Sequence, residues 1–548
     1  MSKTASIDKM ERSFGRARSR AFRLSRVFGL SLSSDSILPR KSMMLVISSV
    51  LGYFLSLPFA AVLQSGNYRV FALRRAKKPL IACAVYAIVF SSFALTIVFL
   101  CGAVLKVLFG LLLYLATAVF IVVVYRKMHI SLHFTNRLIR LLICELFLYV
   151  IIFFSLFFTR FRLLWASTPT LMPFVLCVAD WLLGPAERKN NERYVTRAKE
   201  KLAEMRAIRV GITGSYGKTT VKNDLEQLLS VQYDTLASPS NYNTPLGIAK
   251  TLSTATGREE VLLLEMGARR TGDIRELCEM INPQYGILTG IAPQHLETFG
   301  SEEAIMSEKN VLAECVSKEN VVFYNLTDPK VRILYESRVG KKIGVGYEDS
   351  DYLISTPILS ESGSRFFLSK GRIGREIVIP SVGISAVVDF ALAAAVALEL
   401  GLSWDNVLSV GHRIYPTPHR FEIVKRGEVT VIDDSYNINP IGAATALESL
   451  KCFVGKRKIV YASGMVELGE REEALNRALG EKIAETATEA VVCEGRYGDQ
   501  VAAGIIGRRD MPIYRVRDTA EATALFGSIL RKGDVLLLMS DLPRDYLL

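Results

Sequence analysis

The densest chemistry in the chain lies in one short string, Gly214, Ser215, Tyr216, Gly217, Lys218, Thr219 and Thr220. An apolar strand, 208–213, runs into it, and a helical stretch, 221–229, runs out. Strand, glycine loop and helix form the setting in which backbone N–H groups cradle phosphate oxygens. Glycines let the main chain approach closely, and the helix N-terminus adds partial positive charge. Lys218 is expected to hold the outer phosphates and the Thr219 hydroxyl a divalent cation. The commonest phosphate loop would place glycine at 212, where Ile212 stands, so this is a variant form.

Other chemistry-bearing residues follow in order. Glu265 closes an apolar strand, where a carboxylate can meet a cation at the loop; oxygen ligands suit Mg²⁺. Asn241 and Asn243 lie in Ser240-Asn-Tyr-Asn-Thr-Pro245, where turn chemistry alone also favours Asn and Pro. His295 follows the apolar run 285–291, and Lys309 comes after it. Toward the C-terminus stand His419-Arg420, Asp433-Asp434-Ser-Tyr436-Asn437-Ile-Asn439-Pro440 and Gly464-Met465-Val-Glu467-Leu468-Gly469-Glu470.

These residues need a scaffold of strand ends. Strand-like and helix-like runs alternate, as in 458–463 followed by 470–486, which predicts α/β layers on a mostly parallel sheet. The expected fold is a helical transmembrane N-terminal domain, a central three-layer α/β domain carrying the phosphate loop, and a smaller C-terminal Rossmann-like α/β domain. The run 351–380 reads as β-rich within the central part. The expected segments are a basic cytoplasmic tail (1–41), a transmembrane domain of four or five helices (42–186), a connector helix (187–207), the ATP-binding domain (208–415) and a C-terminal domain (416–548).

The front is expected to be membranous because apolar residues concentrate there. Runs 42–68, 80–105 and 107–125 are free of charge; 141–159 holds only Glu145 and 163–183 only Asp180. A span needs about 20 apolar residues. Charged residues inside such runs are functional candidates. Basic loops at 69–78 and 126–140 and the exit at 188–193 are expected on the cytoplasmic side, giving a multi-pass protein of the cell membrane with its catalytic domains cytoplasmic and the lipid bilayer as a partner. The chain has 548 residues and a formal charge of +13. Its first 41 residues carry ten Lys or Arg against three Asp or Glu. No nucleic-acid module accompanies that charge, so a nucleic-acid partner is not expected. The eight cysteines form no CxxC pair, which argues against a disulfide framework or zinc site.

The string TGSYGKTT resembles the phosphate loop of the Mur ligases, TGxxGK[TS]. Leu262-Leu-Leu-Glu265-Met-Gly267-Ala268, the segment 288–301 with His295, then Lys309, His419-Arg420, the 433–440 string and the 464–470 string match that family in order, over roughly 205–540. The last two are most similar to its MurF branch. The resemblance implies an ATP-dependent amide ligase acting through an acyl phosphate, adding D-alanyl-D-alanine or a similar amine to a muramoyl peptide of the cell wall. It implies ATP at Gly214, Ser215, Gly217, Lys218, Thr219, Thr220, Arg420, Asp434 and Asn437. Mg²⁺, as one or two ions, is implied at Thr219, Glu265, His295 and Lys309, with Lys309 carbamylated. Asn241 and Asn243 would face substrate, and Lys218, His295 and Lys309 would be catalytic. The sequence departs from the family at Gly290, where Asn is usual, at Val311, at Met539-Ser540-Asp541, and in its apolar front. A ligase for another peptide or lipid-linked acceptor, such as a poly-γ-glutamate type, and a scaffold with a degenerate ligase domain are the rival readings. The loop GKGS and the string DGAHNP of folylpolyglutamate synthetases are absent.

Overall fold

The computed structural model describes residues 57–65, 134–157, 168–239, 242–436 and 438–539. The chain divides into two compact units, 1–183 and 184–548.

In the first unit the described elements are helices Leu57–Ser65, Asn136–Phe157 and the front of Thr168–Glu204. Ala60, Leu63, Leu138, Leu141 and Leu176 are buried, as is Glu145, and Arg137 Nη2 lies 3.7 Å from Asp180 Oδ1. Among the described residues no helix is long and apolar enough to cross a membrane. That corrects the expectation of a helical transmembrane domain, and with it the multi-pass location and the bilayer partner. Residues 141–157 of the run 141–159 lie in a helix that begins earlier, at Asn136, and so takes in Arg137 and Arg140 as well as Glu145. Residues 168–183 of the run 163–183 lie in a helix that runs on to Glu204 through Arg188, Lys189, Glu192 and Arg193. Stretches poor in charge therefore do not mark where these helices start and stop. The tail 1–41, the runs 80–105 and 107–125, and all of 42–68 except 57–65 lie outside the described residues.

The second unit is mixed α/β, as expected for the central and C-terminal regions. Its larger sheet has ten strands. Six begin it: β1 (Ile208–Thr213), β2 (Thr235–Ala237), β3 (Val261–Glu265), β4 (Tyr285–Leu288), β5 (Val322–Asn325) and β6 (Lys342–Gly346). They are followed by β7 (Tyr352–Ile354), β8 (Ile358–Ser360), β9 (Gly363–Lys370) and β10 (Ile373–Ile379). The order is β10-β9-β7-β6-β5-β4-β1-β3-β2, with β8 on β9. Pairings from β2 to β7 are parallel; those of β8, β9 and β10 are antiparallel.

The apolar run of β3 is buried on both faces, as a central parallel strand must be. Leu263 packs with Val221, Leu225 and the alanine-rich helix Ile384–Glu399; Leu262 and Leu264 pack with the opposite layer, including Ile274 and Leu312. Alternation at period two places one layer of helices on each face. β1 lies between β3 and β4 in parallel register, Ile212 beside Glu265 and Thr213 beside Leu288. The chain reverses its direction of travel across the sheet there. Carboxyl ends of strands at such a switch point form a crevice.

The smaller sheet has six strands: β11 (Glu422–Arg426), β12 (Val429–Asp433), β13 (Lys458–Ala462), β14 (Glu489–Cys493), β15 (Ile513–Val516) and β16 (Val535–Met539). Its order is β11-β12-β16-β13-β14-β15, parallel except for the first pair. Asp433 and Asp434 stand at the carboxyl end of β12 and the 464–470 string follows β13.

Candidate active site

The loop after β1 is pressed against the loop after β4. Gly214 has φ 154°, and a β-carbon there would lie 2.1 Å from Thr289 Oγ1. Gly217 has φ 78°, and a β-carbon there would lie 2.7 Å from Asp389 Oδ1. Both positions therefore exclude a side chain. Ser215 N donates to Gly290 O at 2.7 Å and its hydroxyl to Ala292 O at 3.2 Å. Lys218 opens the helix Lys218–Leu229 and folds back, its Nζ donating to Gly214 O at 2.7 Å. Desolvation lowers its pKa, against the Glu265 carboxylate and aided by Arg420. Thr220 lies in the first turn of the same helix.

Glu265 ends β3 and is 2% exposed. Its Oε2 accepts the Thr219 hydroxyl at 2.9 Å and faces Lys222 Nζ at 3.5 Å; its Oε1 accepts Asn243 Nδ2 at 3.0 Å. Its N–H donates to Ser238 Oγ at 3.0 Å. Lys222, one helical turn after Lys218, is 1% exposed, and burial lowers its pKa against the same carboxylate.

Lys309 lies in the helix Glu302–Cys315 and is 4% exposed. Its pKa falls to about 7, through desolvation and then the nearby Lys218, with Glu308, Asp273 and Glu265 opposing. Glu308 orients that helix. Its two oxygens accept Gly272 N at 2.8 Å and Ile274 N at 2.7 Å, so it caps the helix Asp273–Ile281. His295 precedes a short turn of helix on left-handed backbone, φ 57°. Its Nδ1 is hydrogen-bonded to Glu467 Oε2 of the smaller lobe. Burial lowers the imidazole's pKa, Glu467 raises it, and Arg269 and Lys309 lower it further.

From the smaller lobe, the Arg420 guanidinium stacks over the Tyr436 ring at 4.4 Å and lies close enough to Lys218 to depress its pKa. Asp434 accepts Phe421 N at 3.2 Å; burial raises its pKa to about 6, against Arg420. The structure thus brings Gly214, Ser215, Gly217, Lys218, Thr219, Thr220, Asn243, Glu265, His295 and Lys309 to one end of the larger sheet, with Arg420 and Asp434 reaching it from the other lobe. Asn241 and Asn437 lie outside the described residues.

Several groups at this site escaped the sequence reading. Asp328 accepts the Tyr216 hydroxyl at 2.7 Å and Ile291 N at 2.8 Å. The Tyr216 ring occupies the space a side chain at 290 would need, 2.2 Å from a β-carbon there. That accounts for glycine at Gly290. Asp224 and Asp389 are both buried. Burial raises Asp389 to about 8 against Arg420, and raises Asp224 well above the usual carboxylate range, with Asp389 adding to it. Lys222 falls one turn beyond the loop, and that spacing was its only local signal; the others depend on contacts far apart in sequence.

The donor set of Thr219 and Glu265 is oxygen only, at the end of a phosphate loop, and fits a hard cation such as Mg²⁺. A second cluster, His419, Glu422 and Asp433, has ligand atoms within 4.8 Å of one another. Its members already bond each other, His419 Nδ1 to Asp433 Oδ2 at 2.8 Å and His419 N to Glu422 Oε2 at 3.0 Å.

Two domain families match the second unit in order: the Mur ligase middle domain over residues 212–397, and the Mur ligase, glutamate ligase domain over 419–542. The UDP-N-acetylmuramoyl-tripeptide–D-alanyl-D-alanine ligase of Mycobacterium tuberculosis is 31% identical over 353 residues, covering 60% of this chain and 69% of that protein. The enzyme of the same name from Bacillus subtilis is 27% identical over 345 residues, covering 62% of this chain and 74% of that one. Among solved structures, the MurF ligase from Thermotoga maritima in complex with ADP superposes with a TM-score of 0.58 at 26% identity, over 64% of this chain and 80% of that one. With both domains matched in sequence order and a relative at this identity covered over 69% of its length, the chain belongs to the Mur ligase family.

Proposed function

We propose that this ATP-dependent ligase joins D-alanyl-D-alanine to a muramoyl tripeptide, as the relatives' names describe for those proteins. The observation that carries the reading is Glu265, held by Thr219, Lys222 and Asn243 at a strand end beside the phosphate loop.

The substrate carboxylate attacks the γ-phosphorus of ATP, giving an acyl phosphate and ADP. The amine of the second substrate then attacks the acyl carbon, and phosphate leaves as the amide forms. Loop N–H groups and the N-terminus of Lys218–Leu229 bind the phosphates. Lys218, now bonded to Gly214 O, would turn outward to the terminal phosphate. Thr219 and Glu265 would hold Mg²⁺, which offsets the crowded negative charge. Arg420 and Asp434 would close over the nucleotide and help exclude the water that hydrolyses an acyl phosphate. Lys309, with its pKa lowered to about 7, holds a substantial fraction of neutral amine at neutral pH and more above it. That is the form that adds carbon dioxide, and the carbamate would turn a buried cation into an anion able to ligate metal beside His295.

The test is phosphate release by the full-length protein with ATP, Mg²⁺, D-alanyl-D-alanine and a UDP-linked muramoyl tripeptide. Release should require both substrates and fall by at least about a hundredfold in Lys218→Ala, the scale of losing a preorganised charge donor. Release that ignores the dipeptide would rule the assignment out.

A further inference from the structure

His295 and Glu467 are 172 residues apart, on different lobes, yet their side chains meet. Neither is glycine, and both sit on left-handed backbone, φ 57° and 60°. Such conformations are strained for residues with a side chain and persist where the surroundings enforce them. The seam around the pair is built to meet. A β-carbon at Gly469 would stand 3.6 Å from Leu296 Cβ, so the loop after β13 lies directly on the turn of His295. Glu302, at the start of the next helix, binds Lys330 of its own lobe and Arg471 of the other.

The chemistry of the contact is directional. A carboxylate accepts only, whereas a neutral imidazole has one N–H and one lone pair. Bonding Nδ1 to Glu467 therefore makes Nδ1 the donor and leaves the lone pair on Nε2. Metal-bound histidines characteristically give their other N–H to a carboxylate, which fixes the ring and raises its basicity. Of the groups bearing on this imidazole, Arg269 is cationic and Glu467 is the anion.

We propose that Glu467 is a positioning residue: docked from the C-terminal lobe, it orients His295 so that Nε2 faces a divalent cation, and lobe docking and cation binding thereby favour one another. The proposal rests on the reading of His295 as a metal ligand. Coupling of this kind is reciprocal. A cation at His295 draws the lobes together, and docked lobes tighten the cation by the same factor.

The experiment uses the full-length protein and Mn²⁺ alone, titrated by electron paramagnetic resonance. Small-angle scattering with and without Mn²⁺, and ¹⁵N shifts of the labelled imidazoles, accompany it. His295→Ala should lose or gravely weaken one Mn²⁺. Glu467→Ala should retain that ion about 10–100-fold more weakly, the usual effect of removing such an outer partner. It should also shift His295 away from the Nδ1–H tautomer and abolish Mn²⁺-dependent compaction. Glu467→Gln keeps the volume and an acceptor oxygen, so it should hold the tautomer and lose less affinity; it serves if the alanine variant folds poorly. If His295→Ala binds Mn²⁺ like wild type, the ligand reading falls and the proposal with it. If His295→Ala loses the ion but both Glu467 variants bind normally, the ligand reading stands and Glu467 is a docking contact only.

Discussion

Asp389 illustrates what single residues contribute beneath the phosphate loop. Its carboxyl is buried, faces the loop at Gly217, and has its pKa raised to about 8 by burial, with Arg420 opposing. The unfolded chain ionises it near the ordinary value of about 4. Between those values the native state binds the extra proton, so this group's contribution to stability is present below about pH 4 and is lost as pH rises toward 8. Asp389→Asn should therefore raise the melting temperature more at pH 8 than at pH 5. Equal shifts at both, by calorimetry, would show that Asp389 is ionised throughout. The Gly290 position makes a second test. Asn there collides with the Tyr216 ring, an overpacking that costs about 1–3 kcal/mol. Gly290→Asn should be destabilising alone and markedly less so beside Tyr216→Ala; strict additivity in the double-mutant cycle would refute the contact.

At the scale of elements, legibility depended on distance along the chain. The phosphate loop was readable because strand, glycines and helix are contiguous, and Glu265 because it closes an apolar strand. His295, Lys309, Arg420 and Asp434 were readable through the order of family strings. Glu308, Asp328 and Asp389 were not, since their partners lie far along the chain: 36 residues from Glu308 to Gly272 and 112 from Asp328 to Tyr216. In the apolar front, stretches poor in charge do not coincide with whole elements: Arg137 and Arg140 fall inside the same helix as Glu145. Glu308 shows how an unreadable residue fixes an element. Removing its carboxylate leaves the Gly272 and Ile274 N–H groups without their acceptor, at about 1–3 kcal/mol. Glu308→Ala should lose about that much in denaturant unfolding, and Glu308→Gln less. Unchanged stability in both would mean the cap contributes nothing.

For the molecule as a whole, the passage between the lobes is tied more firmly than its irregular backbone suggests. Gln227 closes two hydrogen bonds with the Tyr415 peptide, donating to its oxygen at 3.2 Å and accepting from its nitrogen at 2.8 Å. Asn223 adds a third tie, to the Thr417 hydroxyl at 3.1 Å. Gln227→Ala should sharply speed hydrogen exchange at the Tyr415 amide while leaving β3 amides protected; unchanged exchange at Tyr415 would show that the amide is held by something else. These ties attach 415–417 to the helix whose first turn holds the phosphate loop. Left-handed His419 and Phe421, at φ 60° and 50°, follow at once. The joint between lobes is thus displaced toward the C-terminal side of the linker. For anyone exchanging lobes between relatives, residues 412–418 are cargo of the front half, and a chimaera spliced ahead of Tyr415 would pair Gln227 with a stranger's backbone.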